Sequence, residues 1–118
     1  MTKLIVYSLI GCPFSKNTEN IINENKINAD IIKISRNNMN EYKIKNNMLT
    51  FPQIFIDVEN ERSIIGGNND LENIIKIIED GKKNKDLEYI KKKINELLPY
   101  KKRTILEIIY ILIKINMD

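Results

Sequence analysis

A chain of 118 residues can bury one apolar core without a metal or disulfide staple, and its single cysteine cannot form an internal disulfide in any case. The absence of histidine excludes imidazole bases, Ser/His and Cys/His dyads and histidine-ligated metals, so any acid or base must be Asp, Glu, Lys, Tyr, Cys or water. A formal charge of +3, with Lys and Arg matched by Asp and Glu along most of the chain, gives bulk electrostatics no grip on nucleic acid.

Nothing at the N-terminus reads as a secretory leader, and one lone thiol suits a reducing compartment, so the expected setting is cytoplasmic. The abundance of Ile, Asn and Lys fits an AT-rich coding bias and makes any single Asn or Lys weak evidence for a site.

In chain order, residues 3–8, KLIVYS, are a β-branched and aromatic run that predicts a buried strand. Pro13 suits the first position of a helix, where its missing N–H costs nothing, and Phe14, Thr18, Ile21 and Ile22 recur near helical spacing up to an Asn-rich stretch at 23–28. Cys12 therefore falls at the cap of that helix. A second strand is expected at 30–34, DIIKI, and strand–helix–strand over this length implies a right-handed crossover between parallel strands. Residues 38–47 predict a short polar helix with Met39, Tyr42 and Ile44 facing inward. TFPQIFID marks a strand at 53–57 behind a proline, and RSII a strand at 62–65, paired antiparallel across VENE. Gly66 and Gly67 then interrupt the chain, Asn68 to Asp70 offer caps, and LENIIKIIED reads as an amphipathic helix.

Beyond residue 80, GKKNKDLEYIKKKINELL predicts a basic helix after a flexible joint, with Leu87, Ile90, Ile94, Leu97 and Leu98 on one face and Pro99 as its stop. TILEIIYILIKIN, with Thr104 as its cap, is apolar almost all round apart from Glu107 and Lys114. About 13 residues rising 1.5 Å each reach ~20 Å, short of a ~30 Å hydrocarbon core, so a membrane role is disfavoured. Burial is expected instead, against the preceding domain, against the same helix of a second chain, or against a partner. The basic run at 101–103 reads as a solvated face.

Cys12 carries the chemistry. A cysteine at a helix N-terminus has its sulfur near unpaired N–H groups and the positive end of the macrodipole, and Lys16 one turn along adds positive charge; both favour thiolate. Such settings bring a thiol from about 8.5 into the range of roughly 3.5 to 7.5. A fall to ~5 would raise the thiolate fraction at neutral pH about 30-fold, yet a Brønsted slope of ~0.45 removes roughly as much nucleophilicity. The gain lies in departure, because a low-pKa sulfur is a good leaving group, and the site suits carrying a small thiol on and off. The competing reading is a buried, inert cysteine, which the Gly-Cys-Pro context argues against.

The order strand, CPFS, helix, strand, helix, TFPQIFID, strand, GGNNDL, helix resembles a glutaredoxin, of the thioredoxin-fold superfamily, over roughly residues 1–80. Arsenate-reductase-like proteins also place a cysteine early, but TFPQIFID followed by Gly-Gly fits glutaredoxins better. The resemblance implies an α/β thioredoxin-like fold: a four-stranded mixed sheet with its first strand central, flanked by helices, in a domain at 1–80. Residues 81–118 become a C-terminal helical extension. It also implies a glutathione groove. Cys12 would be the catalytic nucleophile and Phe14 would cover the ligand. Pro52 would be a cis-proline that turns the backbone of Phe51 toward the cysteinyl part of glutathione. Gly66 and Gly67 would allow close approach, and the N–H groups at Asn68 and Asn69 would receive the γ-glutamyl carboxylate. Lys16, Lys43 or Lys45 would take the glycyl carboxylate.

The departures bear on mechanism. Ser15 stands where many members have a second cysteine, so the resemblance implies a monothiol oxidoreductase that reduces glutathionyl mixed disulfides of protein partners with glutathione as co-substrate. Leu9, Leu49 and Asn69 stand where lysine, arginine and aspartate are frequent, and each loses a charged contact. VENERSII is longer than the usual tight hairpin and suggests a protruding turn. Two alternatives accompany this reading. One is a dimer holding a 2Fe–2S cluster with one Cys12 and one glutathione per chain, against which stand Pro13, where that branch has glycine, and the shorter loop before the cysteine. The other is a redox-inactive scaffold served by its C-terminal helices. No other metal site is implied, and a homodimer through the last helix stays an option.

Overall fold

The computed structural model describes residues 2–100 and 102–116, with backbone alone at 102 and 113–116. The chain runs β1 (Lys3–Leu9), α1 (Pro13–Glu24), β2 (Ala29–Ile34), a 3-10 turn (Arg36–Asn38), α2 (Met39–Lys45), β3 (Gln53–Val58), β4 (Glu61–Gly66), α3 (Asn68–Lys83), α4 (Leu87–Leu97) and α5 (Lys102–Asn116). The four strands form one mixed sheet in the order β2-β1-β3-β4. β1 pairs parallel with β2 and antiparallel with β3, and β3 pairs antiparallel with β4. This is the thioredoxin-like architecture expected, with the first strand inside the sheet.

Side chains alternate across a strand, so β1 serves two cores. Leu4 and Val6, opposite Ile56 and Ile54 of β3, face Ile22 of α1 and Leu71, Ile74 and Ile78 of α3. Ile5, Tyr7 and Leu9 face the other way, onto Ile34, Phe51, Met39 and Tyr42. Because both faces are covered, β1 reads as a continuous apolar run.

The extension joins the first of these cores. Ile90, Ile94 and Leu98, then Ile105, Ile108, Ile109 and Leu112, belong to the same buried cluster as Leu4, Val6 and Ile54. In place of a flexible joint, α3 continues to Lys83 and α4 follows after three residues, with Lys85 at positive φ. The two helices cross closely at Gly81, where an added Cβ would lie 2.2 Å from Ile90 Cγ1.

Several local expectations need correction. Ile44 is 82% exposed: Met39 and Tyr42 turn one face of α2 to the sheet, Tyr42 against Tyr7 at 5.5 Å, and Ile44, two residues past Tyr42, falls on the opposite face. Leu87 and Leu97 are half exposed, because the buried stripe of α4 centres on Ile90 and Ile94. Thr104 is a buried residue inside α5, not its cap. The chain is fastened before that helix turns inward, by the Tyr100 hydroxyl on the Ile64 carbonyl and by Arg103 on Glu59. Lys101 lies outside the described residues, as do the side chains of Lys102 and Lys114. The turn in VENERSII does not protrude. Glu59 and Asn60 form a two-residue hairpin turn with φ of 46° and 70°, and the additional residues lengthen the strands.

Candidate functional site

The end of β1 at the middle of the sheet delivers the CPFS segment. Cys12 holds the N-cap position of α1 with extended backbone (φ −91°, ψ 122°), and Pro13 is the first helical residue. Its N–H donates to the Leu9 carbonyl at 3.2 Å, and its carbonyl accepts from the Lys16 N–H at 3.0 Å, which fixes the thiol above the first turn.

Ser15 is fully buried under that turn, and its Oγ accepts from the Leu9 N–H at 3.0 Å. Its hydroxyl proton is thereby left to point at the sulfur. Partial burial pushes the Cys12 thiol up, but hydrogen bonds from the Ser15 N–H and hydroxyl and from the Phe14 N–H, with the charge of Arg36, more than offset it. The net effect lowers the Cys12 pKa below that of an ordinary thiol. Arg36 reaches the site from beyond β2, its guanidinium beside Gly11. The sequence places this cation at Lys16; the structure supplies it from Arg36, while Lys16 acts on Glu19.

Cys12 Sγ lies 4.0 Å from the Phe51 carbonyl oxygen, and the Phe51–Pro52 peptide is cis. Beside this point Phe14, Thr50, Phe51, Gly67, Asn68, Asn69 and Asp70 line a cleft of about 310 Å³. Phe14 is 60% exposed at its mouth. The far wall is the N-terminus of α3, whose first N–H groups have no intrahelical acceptor. The Asp70 carboxylate accepts from the Gly67 N–H at 2.7 Å, so the donors left free for a ligand begin at Asn68. Gly66 has φ +127°, and a Cβ there would sit 2.2 Å from Asp70 Oδ2, so only glycine permits this carboxylate to fold back.

The two walls are tied together. Thr18 Oγ1 donates to Asn68 Oδ1 at 2.8 Å and Asn17 Nδ2 to the same oxygen at 3.0 Å, while Asn68 Nδ2 donates to Glu72 Oε1 at 3.2 Å. These bonds set the position of α3 relative to the helix that carries the thiol.

A second cleft of about 400 Å³ has none of the first cleft's lining residues and is lined by Cys12, Lys16, Glu19 and Lys33 among others. Glu19 is buried there, accepting from Lys33 Nζ at 2.8 Å and from the Ser8 hydroxyl. Burial raises its pKa, but Lys33 and Ser8 outweigh burial and hold the carboxyl below its ordinary value.

The structure thus lines one groove with Phe14, Phe51, Gly67, Asn68 and Asn69, sets Cys12 and cis-Pro52 beside its Phe51 wall, and puts Lys16 with Cys12 in the other cleft. Lys43 and Lys45 line neither cleft, and the Lys45 ammonium rests over the Tyr42 ring at 5.4 Å. Sequence reading missed the inward role of Ser15, the charge of Arg36, and Thr50 and Asp70 in the groove wall. Asp70 had a signal, since an acid at the third helical position is a capping pattern. Arg36 had none, because it meets Cys12 only through the fold.

Residues 4–60 match the Glutaredoxin family model. Among solved structures, Glutaredoxin 1 from Francisella tularensis, crystallised with cacodylate, matches at 27% identity with a TM-score of 0.55, covering 68% of this chain and 99% of that one. The dithiolic glutaredoxin 2-C-Grx1 from Trypanosoma brucei brucei matches at 22% identity with a TM-score of 0.47, covering 64% and 78% respectively. No curated protein matches by sequence.

Proposed function

We propose that this chain, whose residues 4–60 form a glutaredoxin domain, is a thiol–disulfide oxidoreductase that removes glutathione from protein mixed disulfides by a monothiol route. In the first step the Cys12 thiolate attacks the glutathionyl sulfur, the protein–glutathione S–S bond breaks, and the protein leaves as a thiolate that takes a proton from solvent. In the second, a glutathione thiolate attacks the glutathionyl sulfur held on Cys12, forming glutathione disulfide and returning the Cys12 thiolate. The net exchange turns one protein–glutathione disulfide and one glutathione thiol into a protein thiol and glutathione disulfide, and the balance closes without any other reductant.

The observation that carries this reading is the donor set at Cys12. The Ser15 N–H and hydroxyl and the Phe14 N–H favour the anionic sulfur both when it attacks and when it departs. With Ser15 in place of a second thiol, the Cys12 disulfide is resolved from outside. Phe14, the Phe51 backbone, Pro52, Gly67 and the N–H groups at Asn68 and Asn69 are the proposed glutathione contacts. An anion at the start of α3 meets unpaired donors and the positive end of the helix dipole. Glutathione as reductant matches the reducing, cytoplasmic setting expected from the sequence.

The test is turnover of a glutathionylated model protein driven by glutathione. Activity should vanish in Cys12→Ser and persist in Ser15→Ala; retained turnover without Cys12 rejects the nucleophile. The cluster reading is separated by colour. Visible absorbance lost in Cys12→Ser would support it.

A further inference from the structure

The net charge of +3 conceals a division. Residues 1–80 carry 9 Lys and Arg against 11 Asp and Glu, whereas residues 81–118 carry 10 against 5. The extension is therefore a basic body attached to a slightly acidic domain. It is also additional to a complete relative, since 68% of this chain accounts for 99% of the Francisella glutaredoxin.

Between α4 and α5 lies a cleft of about 500 Å³, larger than either cleft beside the thiol. Tyr100, Ile105 and Leu106 give it an apolar floor, and Lys91, Lys92 and Glu88 stand at its rim. Leu106 is 39% exposed, and Tyr110, one turn further along α5, is 59% exposed, so the apolar strip continues outside the cleft. Lys91 meets Glu88 at 3.4 Å and Lys93 meets Glu96 at 3.8 Å, both within one helix turn. Exposed pairs of this kind contribute little in water and exchange readily for a better-placed carboxylate.

We propose that the α4–α5 face is a docking site for an acidic segment of a partner protein that places an apolar side chain on the Tyr100, Ile105 and Leu106 floor between flanking carboxylates. Three features select this occupant. The charge of the extension attracts anions. The apolar floor requires an apolar anchor, which a nucleic acid backbone does not offer. A second copy of the chain presenting the same face would bring two basic surfaces together. The cleft shares no lining residue with those beside Cys12, so a docked partner would be tethered to the chain without blocking the thiol.

The experiment uses the full chain carrying Cys12→Ser, which separates this proposal from the redox reading. The probe is a fluorescein-labelled peptide of about a dozen residues, rich in Glu and containing Leu and Phe, followed by anisotropy. A control peptide has Lys in place of Glu. Saturable binding of the acidic peptide alone is expected, weakening about tenfold between roughly 50 and 300 mM salt. Combining Lys91→Glu with Lys92→Glu should cost about tenfold or more, Leu106→Ser should weaken binding as well, and the exposed Lys92→Gln provides a milder variant whose fold is checked by circular dichroism. The proposal is overturned if neither peptide binds, if both bind alike, or if an oligonucleotide or phosphatidylserine vesicles bind more tightly than the acidic peptide. It is equally overturned if the chain sediments as a dimer that Leu106→Ser dissociates.

Discussion

Ser15 does more at Cys12 than mark a missing cysteine. It is buried, it satisfies the Leu9 N–H, and its hydroxyl supports the sulfur. Ser15→Ala should therefore raise the Cys12 pKa, moving the inflection of pH-dependent alkylation upward. It should also cost about 1–3 kcal/mol of stability by leaving a buried N–H without a partner. In the native chain the thiolate should persist below the pH at which an ordinary thiol protonates, and alkylation should slow only as pH falls through the lowered value. Glu19 allows a separate test. Its folded pKa is depressed, so its ionised form contributes stability that is complete above the unfolded carboxylate value of about 4.3 and is lost as pH falls through the lower folded value. Glu19→Gln should flatten that acid limb in urea titrations at stepped pH. At this scale the sequence revealed the thiol and its cap, because helix-start chemistry is local. Arg36 and the Glu19–Lys33 pair join elements apart in the chain and were not legible, and Ser15's bonds to Leu9 and Cys12, though local, carry no sequence signature.

At the scale of elements, strands and long helices followed their periodicities, and the misplaced residues sit where packing overrides pattern. Ile44 follows Tyr42 by two residues, so the helix turns it away from the face that Met39 and Tyr42 present to the sheet. The Glu59–Asn60 turn lacks the glycine that usually signals a tight hairpin, so a longer connection looked natural. Gly81, read as part of a joint, is a packing contact between α3 and α4. Gly81→Val should force the two helices apart and destabilise the chain by about 1–3 kcal/mol, seen as a lower urea midpoint with an unchanged slope.

For the whole molecule, the extension and the sheet share one buried cluster, so they should open together. Amide exchange of Ile90, Ile94 and Ile108 should show the same opening free energy as Val6 and Ile54 across a denaturant series. Loss of protection in α4 and α5 at lower denaturant would mean that they unfold separately. The sequence showed that the last helix needed burial but not against what, because an all-round apolar helix has no preferred face to point at its neighbour. Among the described residues no helix is long and apolar enough to cross a membrane.

The bond from the Tyr100 hydroxyl to the Ile64 carbonyl reaches a main-chain acceptor on β4, the last strand of the sheet. Outermost strands are where foreign chains attach to extend a sheet, and a ribbon that grows without end needs two welcoming margins on every subunit. Here the chain's own tail takes one main-chain acceptor of that margin, and the other margin, β2, carries Asp30 and Lys33. A foreign strand pairing along β4 would have to displace that bond, which gives the tail a protective role whether or not anything else ever binds to it.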